Sequence, residues 1–293
     1  MPLMTGHRSA IYGLAPGDAP GQFYSAGGEG WVVRWNLADP DKGVLTAQVE
    51  ANLFTICSVP GRPWLVAGNM YGGLHWIDWE KKTDFKNVLS HKKGVFDLQT
   101  VGPYLYSLGG DGTLCRWAAG EARLLETLDL SHKSLRALAV SPDGQTLAVG
   151  SSDGHVYLLD NESLALRTTI VGAHQPSVFT LAFSPDGQWL LSGGRDAHLR
   201  AWDPHSGEKV GEIAAHWFTV NHLLFSPDGR WLATASRDKT VKLWDAGTYT
   251  LLKVLDSKYH GHRNSVNRLY WSPDSRTLVS ASDDRTLGVW PIG

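Results

Sequence analysis

Short apolar runs recur along this chain, each cut off by turn residues before a helix could form. At 178–183 the order is Val, Phe, Thr, Leu, Ala, Phe, and at 189–192 it is Trp, Leu, Leu, Ser. Runs of that length predict strands packed between neighbouring layers. No segment carries the period of an amphipathic helix, so strands are predicted throughout. The punctuation between runs is also regular. A Ser-Pro-Asp-Gly quartet stands at 141–144, 184–187 and 226–229, with Ser275 in the glycine position at 272–275 and weaker versions at 16–18 and 60–61. Proline presets φ, and Asp and Gly favour the rest of the turn, so each reads as a hairpin between the first two strands of a unit.

The units repeat. Asp111, Asp196, Asp238 and Asp284 each stand six residues before a tryptophan, Trp117, Trp202, Trp244 and Trp290, and His91, His174, His216 and His262 lie upstream. Aligned on that slot, Trp35, Ile77 and Leu159 complete a series of seven. From Trp117 onward the intervals are 42, 43, 42 and 46 residues. A period of this size means stacked units of four short strands. The 293 residues hold seven of them, which predicts one all-β ring over 1–293 with no second domain. The chain resembles the WD40 repeat family over nearly its whole length. That resemblance implies a seven-bladed β-propeller of four-stranded antiparallel blades, closed by residues 1–5 joining the last blade. Closure removes exposed sheet edges. With Pro2 in it, this clasp is expected to be a weak point.

A polar set accompanies the tryptophan. It reads His91, Ser107, Asp111, Trp117 in repeat three and His174, Ser192, Asp196, Trp202 in repeat five; repeats six and seven have His216, Thr234, Asp238, Trp244 and His262, Ser280, Asp284, Trp290. The resemblance implies a hydrogen-bonded chain from Trp through Ser or Thr and His to Asp, which the donor and acceptor chemistry allows. Repeat one has His7, Ser25, Glu29 and Trp35; repeat four keeps His132 and Asp153 beside Val149 and Leu159; repeat two has Ala67, Tyr71 and Ile77 with no aligned His. Apolar packing is expected to compensate there. Ser, His and Asp together invite a nucleophile reading, but a catalytic triad occurs once per site and this set occurs four times. The structural role is the expectation.

A net charge of −2 gives no global reason to bind nucleic acid or an anionic membrane. Cys57 and Cys115 fall in different repeats without metal-type spacing, so neither a disulfide framework nor a cofactor site is expected. No secretory leader is evident, and no apolar stretch approaches the roughly 20 residues that span a bilayer. A soluble, cytoplasmic, monomeric ring is the expectation.

In the resembled architecture the His loops and Asp turns open on one face, around a central channel, where partners bind. The residue five after each His, or its equivalent, is Tyr12, Phe54, Phe96, Arg136, Phe179, Asn221 and Asn267. The residues before the turn acids include Met70, Arg195 and Arg237; Trp217 and Phe218 follow His216, and Tyr259 lies in extra linker residues 257–260. Aromatic and arginine side chains are common interface anchors. The set predicts a non-catalytic scaffold that takes a protein or peptide segment with an apolar anchor near an acidic residue. Two rivals use the same residues. One is an enzyme with a metal in the channel, although six of the 12 histidines are already assigned to repeats and the others are scattered among different repeats. The other is a nucleic-acid binder using Arg136, Arg195, Arg237 and Lys239 with aromatic stacking, against which the acidic balance argues.

Overall fold

Each repeat folds into one antiparallel four-stranded sheet, and in blades one to six the strands follow sequence order. In blade six these are Val220–Phe225, Trp231–Ser236, Val241–Asp245 and Leu251–Leu255. The computed structural model describes residues 3–292, and in it seven such sheets form a ring. First strands of adjacent blades touch one another, so they line the centre. Second strands are buried on both faces and read accordingly: Leu232, Ala233, Thr234 and Ala235 are all inaccessible. Outer strands keep exposed residues such as Leu251 and Leu252. Among the described residues the only helical pieces are single 3-10 turns at Ala119–Glu121 and Ser257–Tyr259, and no helix is long and apolar enough to cross a membrane.

The core lies between blades rather than within them. Ala233, Val241 and Leu243 of blade six pack with Val266, Leu269, Trp271 and Leu278 of blade seven, and equivalent clusters recur around the ring. Blade seven is completed by the N-terminal strand Leu3–Thr5, which pairs with Gly288, Leu287 and Thr286. Met4 is buried there against a cluster containing Phe23 and Trp35. Of the predicted clasp, Pro2 lies outside the described residues.

One expectation about the degenerate repeats needs correction, and the other needs an addition. In blade four His132 is exposed and takes no part in a network. Its place is held by Ser131, whose hydroxyl donates to Asp153 Oδ2 at 2.6 Å, joined by the Tyr157 hydroxyl at 2.7 Å. The reason is register: Ser131 stands 22 residues before Asp153, as His174 does before Asp196. In blade two Ala67 and Ile77 are buried, yet polar closure survives. Asn69 Oδ1 accepts from the amides of Tyr71 and Gly73 at 2.8 and 2.9 Å, and its Nδ2 lies 2.8 Å from His75 Nε2. One side-chain amide thus closes the turn that a hydroxyl and a carboxylate close elsewhere.

Candidate functional site

In blade six the Trp244 indole N–H donates to Thr234 Oγ1 at 3.0 Å, Thr234 lies 2.8 Å from His216 Nε2, and His216 Nδ1 lies 2.9 Å from Asp238. One tautomer satisfies the chain: the threonine hydroxyl donates to Nε2, and Nδ1–H donates to the carboxylate. Blades five and seven repeat it through Ser192 with His174 and Asp196, and through Ser280 with His262 and Asp284. Blade one uses Trp35, Ser25, His7 and Glu29. Blade three adds a relay, in which Thr113 stands between His91 and Asp111 while Trp117 and His91 share Ser107.

Burial disfavours the imidazolium and pulls His216 below its ordinary pKa, despite Asp238 beside it. Burial also works against the Asp238 carboxylate, but His216, the Thr240 hydroxyl and the Trp217 amide hold its pKa well below the usual range. The five hydroxyls, Ser25, Ser107, Ser192, Thr234 and Ser280, are completely inaccessible. Buried to this degree, none of the five is exposed as a nucleophile.

The seven-residue series has a structural cause. In every innermost strand the ladder slips by one residue, between Ile11 and Gly13, Leu53 and Thr55, Val95 and Asp97, Leu135 and Ala137, Val178 and Thr180, Val220 and His222, and Val266 and Arg268. The skipped residues are Tyr12, Phe54, Phe96, Arg136, Phe179, Asn221 and Asn267. A bulge leaves its extra residue unpaired and re-aims its side chain. All seven line one cavity of about 340 Å³, together with Arg268.

Around that mouth the chemistry changes by sector. Tyr12 meets Phe54 edge-on at 5.5 Å, and Phe54 stacks with Phe96 at 5.7 Å. The Arg136 guanidinium lies 3.9 Å from the centre of the Phe96 ring and 5.5 Å from that of Phe179. On the far side two amides are committed to the frame. Asn221 donates to Ser265 Oγ and the Val266 carbonyl, and Asn267 donates to the Ile11 carbonyl and Asp283. All seven side chains are half-buried.

Beneath the mouth a charged pair escaped the sequence reading. Arg268 of blade seven reaches Asp97 of blade three at 2.6 Å. Arg268 also lines the larger channel cavity below, of about 480 Å³, so the pair divides mouth from channel. The signal was available: 97 and 268 each follow a bulge residue, and the other members of that layer are Gly13, Thr55, Ala137, Thr180 and His222. Burial, with Arg268 nearby, holds His222 neutral by lowering its pKa strongly.

The remaining predicted contact residues lie outside the mouth cavity. Arg195 and Arg237 are exposed, with backbone amides donating to Ser177 and Thr219 of the adjacent loops. Met70 is exposed beside Tyr71. Trp217 and Phe218 are 86% and 60% exposed, the most open large apolar pair in adjacent positions. Tyr259 is exposed with the Lys253 ammonium over its ring.

The family model for the WD domain, G-beta repeat, matches residues 123–160, 166–203, 207–245 and 253–291, together just over half of the chain. An uncharacterized WD repeat-containing protein of Schizosaccharomyces pombe is 29% identical over 121 residues, which is 41% of this chain and 30% of that protein. The match therefore spans under a third of that relative's length. Among solved structures, the WD40 beta propeller domain of Doa1 superposes with a TM-score of 0.87 at 19% identity, over 98% of this chain and 94% of that one. At that identity the likeness speaks for the fold alone.

Proposed function

The chain belongs to the WD40 repeat family, and on that premise we propose that it is a non-catalytic scaffold that takes a protein or peptide segment at the bulge-lined mouth. Propellers of this family are typically protein-interaction scaffolds. One observation carries the choice of face. Every blade contributes one bulge residue to a single open cavity, and three of them form a continuous aromatic wall. Half-buried rings that line an open cavity are suited to desolvating an apolar anchor at little rotamer cost. The exposed Trp217 and Phe218, with Arg195, Arg237, Met70 and Tyr259, would extend the contact beyond the mouth. In this reading the ring is a cytoplasmic monomer within a larger assembly and does not bind nucleic acid, in keeping with its net charge of −2.

Quantitative affinity capture from source-cell lysate tests it. Wild type is compared with a Phe54→Ala, Phe96→Ala, Arg237→Glu variant of matched melting temperature. Loss of a captured protein by the variant supports this face. An identical captured set for both moves the contact to the rim or the opposite face.

A further inference from the structure

Resting on that reading of the mouth, we propose that Arg136 receives a carboxylate there, the acidic group of a ligand whose apolar neighbour lies along the rings of Phe54 and Phe96. The charge inventory of the cavity leads to this. Two cations line it, Arg136 and Arg268, and no carboxylate does. Arg268 is already neutralised by Asp97 at 2.6 Å. Arg136 has no ion-pair partner among the described residues. Its Nε donates to Ser152 Oγ at 3.1 Å, and its plane is pinned by Phe96 and Phe179. Neither terminal nitrogen has a protein acceptor among the described residues.

A guanidinium held this way is pre-organised for a planar, two-oxygen acceptor, because its orientation is fixed before the ligand arrives. Burial also lowers the Arg136 pKa, meaning that the cation has lost hydration without gaining an anion. A bound carboxylate would restore that loss. The apolar half of the ligand follows from the neighbours: Phe54 and Phe96 lie nearly parallel, with an interplanar angle of 8°, and Tyr12 closes the end edge-on. Phosphate is the poorer fit. Dianions recruit clusters of arginine, and only one guanidinium here is unpaired. Asp283, held by Asn267 on the far wall, adds repulsion that grows with ligand charge.

The carboxylate could be a chain terminus or an acidic side chain, and the test separates them. Arginine Nε–Hε NMR signals of the whole chain are followed during titration with two matched pairs: N-acetyl-leucine against its amide, and C-terminally amidated N-acetyl-leucyl-glutamate against its glutamine counterpart. We expect the acid of at least one pair to shift the Arg136 signal and to bind about tenfold more tightly than its neutral twin. Which pair discriminates names the source. Arg136→Gln should abolish the preference. Arg136→Lys, which keeps the charge and stem but not the fork, should keep part of it, and both variants are checked for unchanged melting. Equal binding of acids and neutral twins, an acid preference that survives Arg136→Gln, or no shift by any probe at about 10 mM overturns the proposal, since even small ligands with a charged contact register in that range. Inorganic phosphate shifting Arg136 more than acetate does would overturn the choice of carboxylate. None of these outcomes depends on whether the face captures a protein, so the two readings fail separately.

Discussion

Asp97→Ala would strand three groups at once. The carboxylate accepts from the Leu98 amide at 3.1 Å, from the Leu138 amide of the next blade at 3.0 Å, and from Arg268 across the channel at 2.6 Å. A buried amide left without an acceptor costs about 1–3 kcal/mol. Removing one partner of a buried ion pair costs about 3–5 kcal/mol, and the lower end applies because the Arg268 side chain keeps 22% exposure. These costs overlap, so about 4 kcal/mol is expected for the single substitution. Arg268→Met leaves the carboxylate two amide donors and should cost less, about 1–2 kcal/mol. In the double variant no charge is stranded, and its cost should fall short of the sum by about 1.5 kcal/mol or more. Urea unfolding followed by fluorescence of the 13 tryptophans gives the cycle, with midpoints compared at constant slope. Costs that add to within about 0.5 kcal/mol would refute a brace across the channel and reduce Asp97 to an acceptor for its own and the neighbouring strand.

Two glycines with left-handed backbone should respond differently to alanine. At Gly112 (φ +88°) a Cβ would lie 1.7 Å from the Ser131 carbonyl oxygen, whereas at Gly61 (φ +72°) it would meet nothing within 4 Å. Gly61→Ala should cost about 1 kcal/mol of backbone strain and Gly112→Ala well over 3 kcal/mol, read as midpoint shifts; similar losses would mean that the loop yields. Thr234→Val keeps the volume but deprives both the Trp244 N–H and His216 of their partner, and about 2–3 kcal/mol should be lost, against nearly nothing if the network were idle. Acid should weaken the ring in two stages. Burial pulls His91, His174 and His216 below their ordinary pKa. The unfolded chain therefore binds more protons once pH drops below about 6.5, and stability that is full above that value declines. Against the pull of burial, hydrogen-bonding partners hold Asp196, Asp238 and Asp284 below the carboxylate range, so their contribution is present above about pH 4 and is lost as pH falls through lower values. A melting temperature that rises from pH 7 to 5 would contradict the histidine assignment, and one that does not fall further below about pH 4 would contradict the carboxylate assignment.

The ring could be read from the sequence because its fastenings repeat at fixed offsets. His-to-acid spacing is 22 residues in blades one, five, six and seven, set by two strands and their hairpin. The same spacing points to Ser131 in blade four, and His132 misleads only because a histidine draws more attention than a serine. Blade two hid its closure because Asn69 performs with one amide what two residues do elsewhere. The mouth was legible for a related reason: one bulge per blade keeps a constant offset from the His loop. The Asp97–Arg268 pair was not, since 171 residues separate the two and only closure of the ring brings them together. Which predicted contacts share a cavity was equally hidden, because backbone register places Arg237 and Trp217 on the corners and Phe54 and Arg136 in the mouth.

The N-terminal strand has a consequence for biosynthesis. Leu3–Thr5 leaves the ribosome before any of blade one, yet its partners Thr286–Gly288 are made only after the six intervening blades. At translation rates of about 5–20 residues per second, that interval is on the order of 15–60 seconds. Throughout it the Met4 side chain, buried in the finished ring, has no blade seven to enter. Blades one to six can stack as they emerge, but the circle joins only once blade seven has been made. The nascent chain is therefore an open arc with two unsatisfied sheet faces, and this is the stage at which the cell's chaperones would have the most to shield.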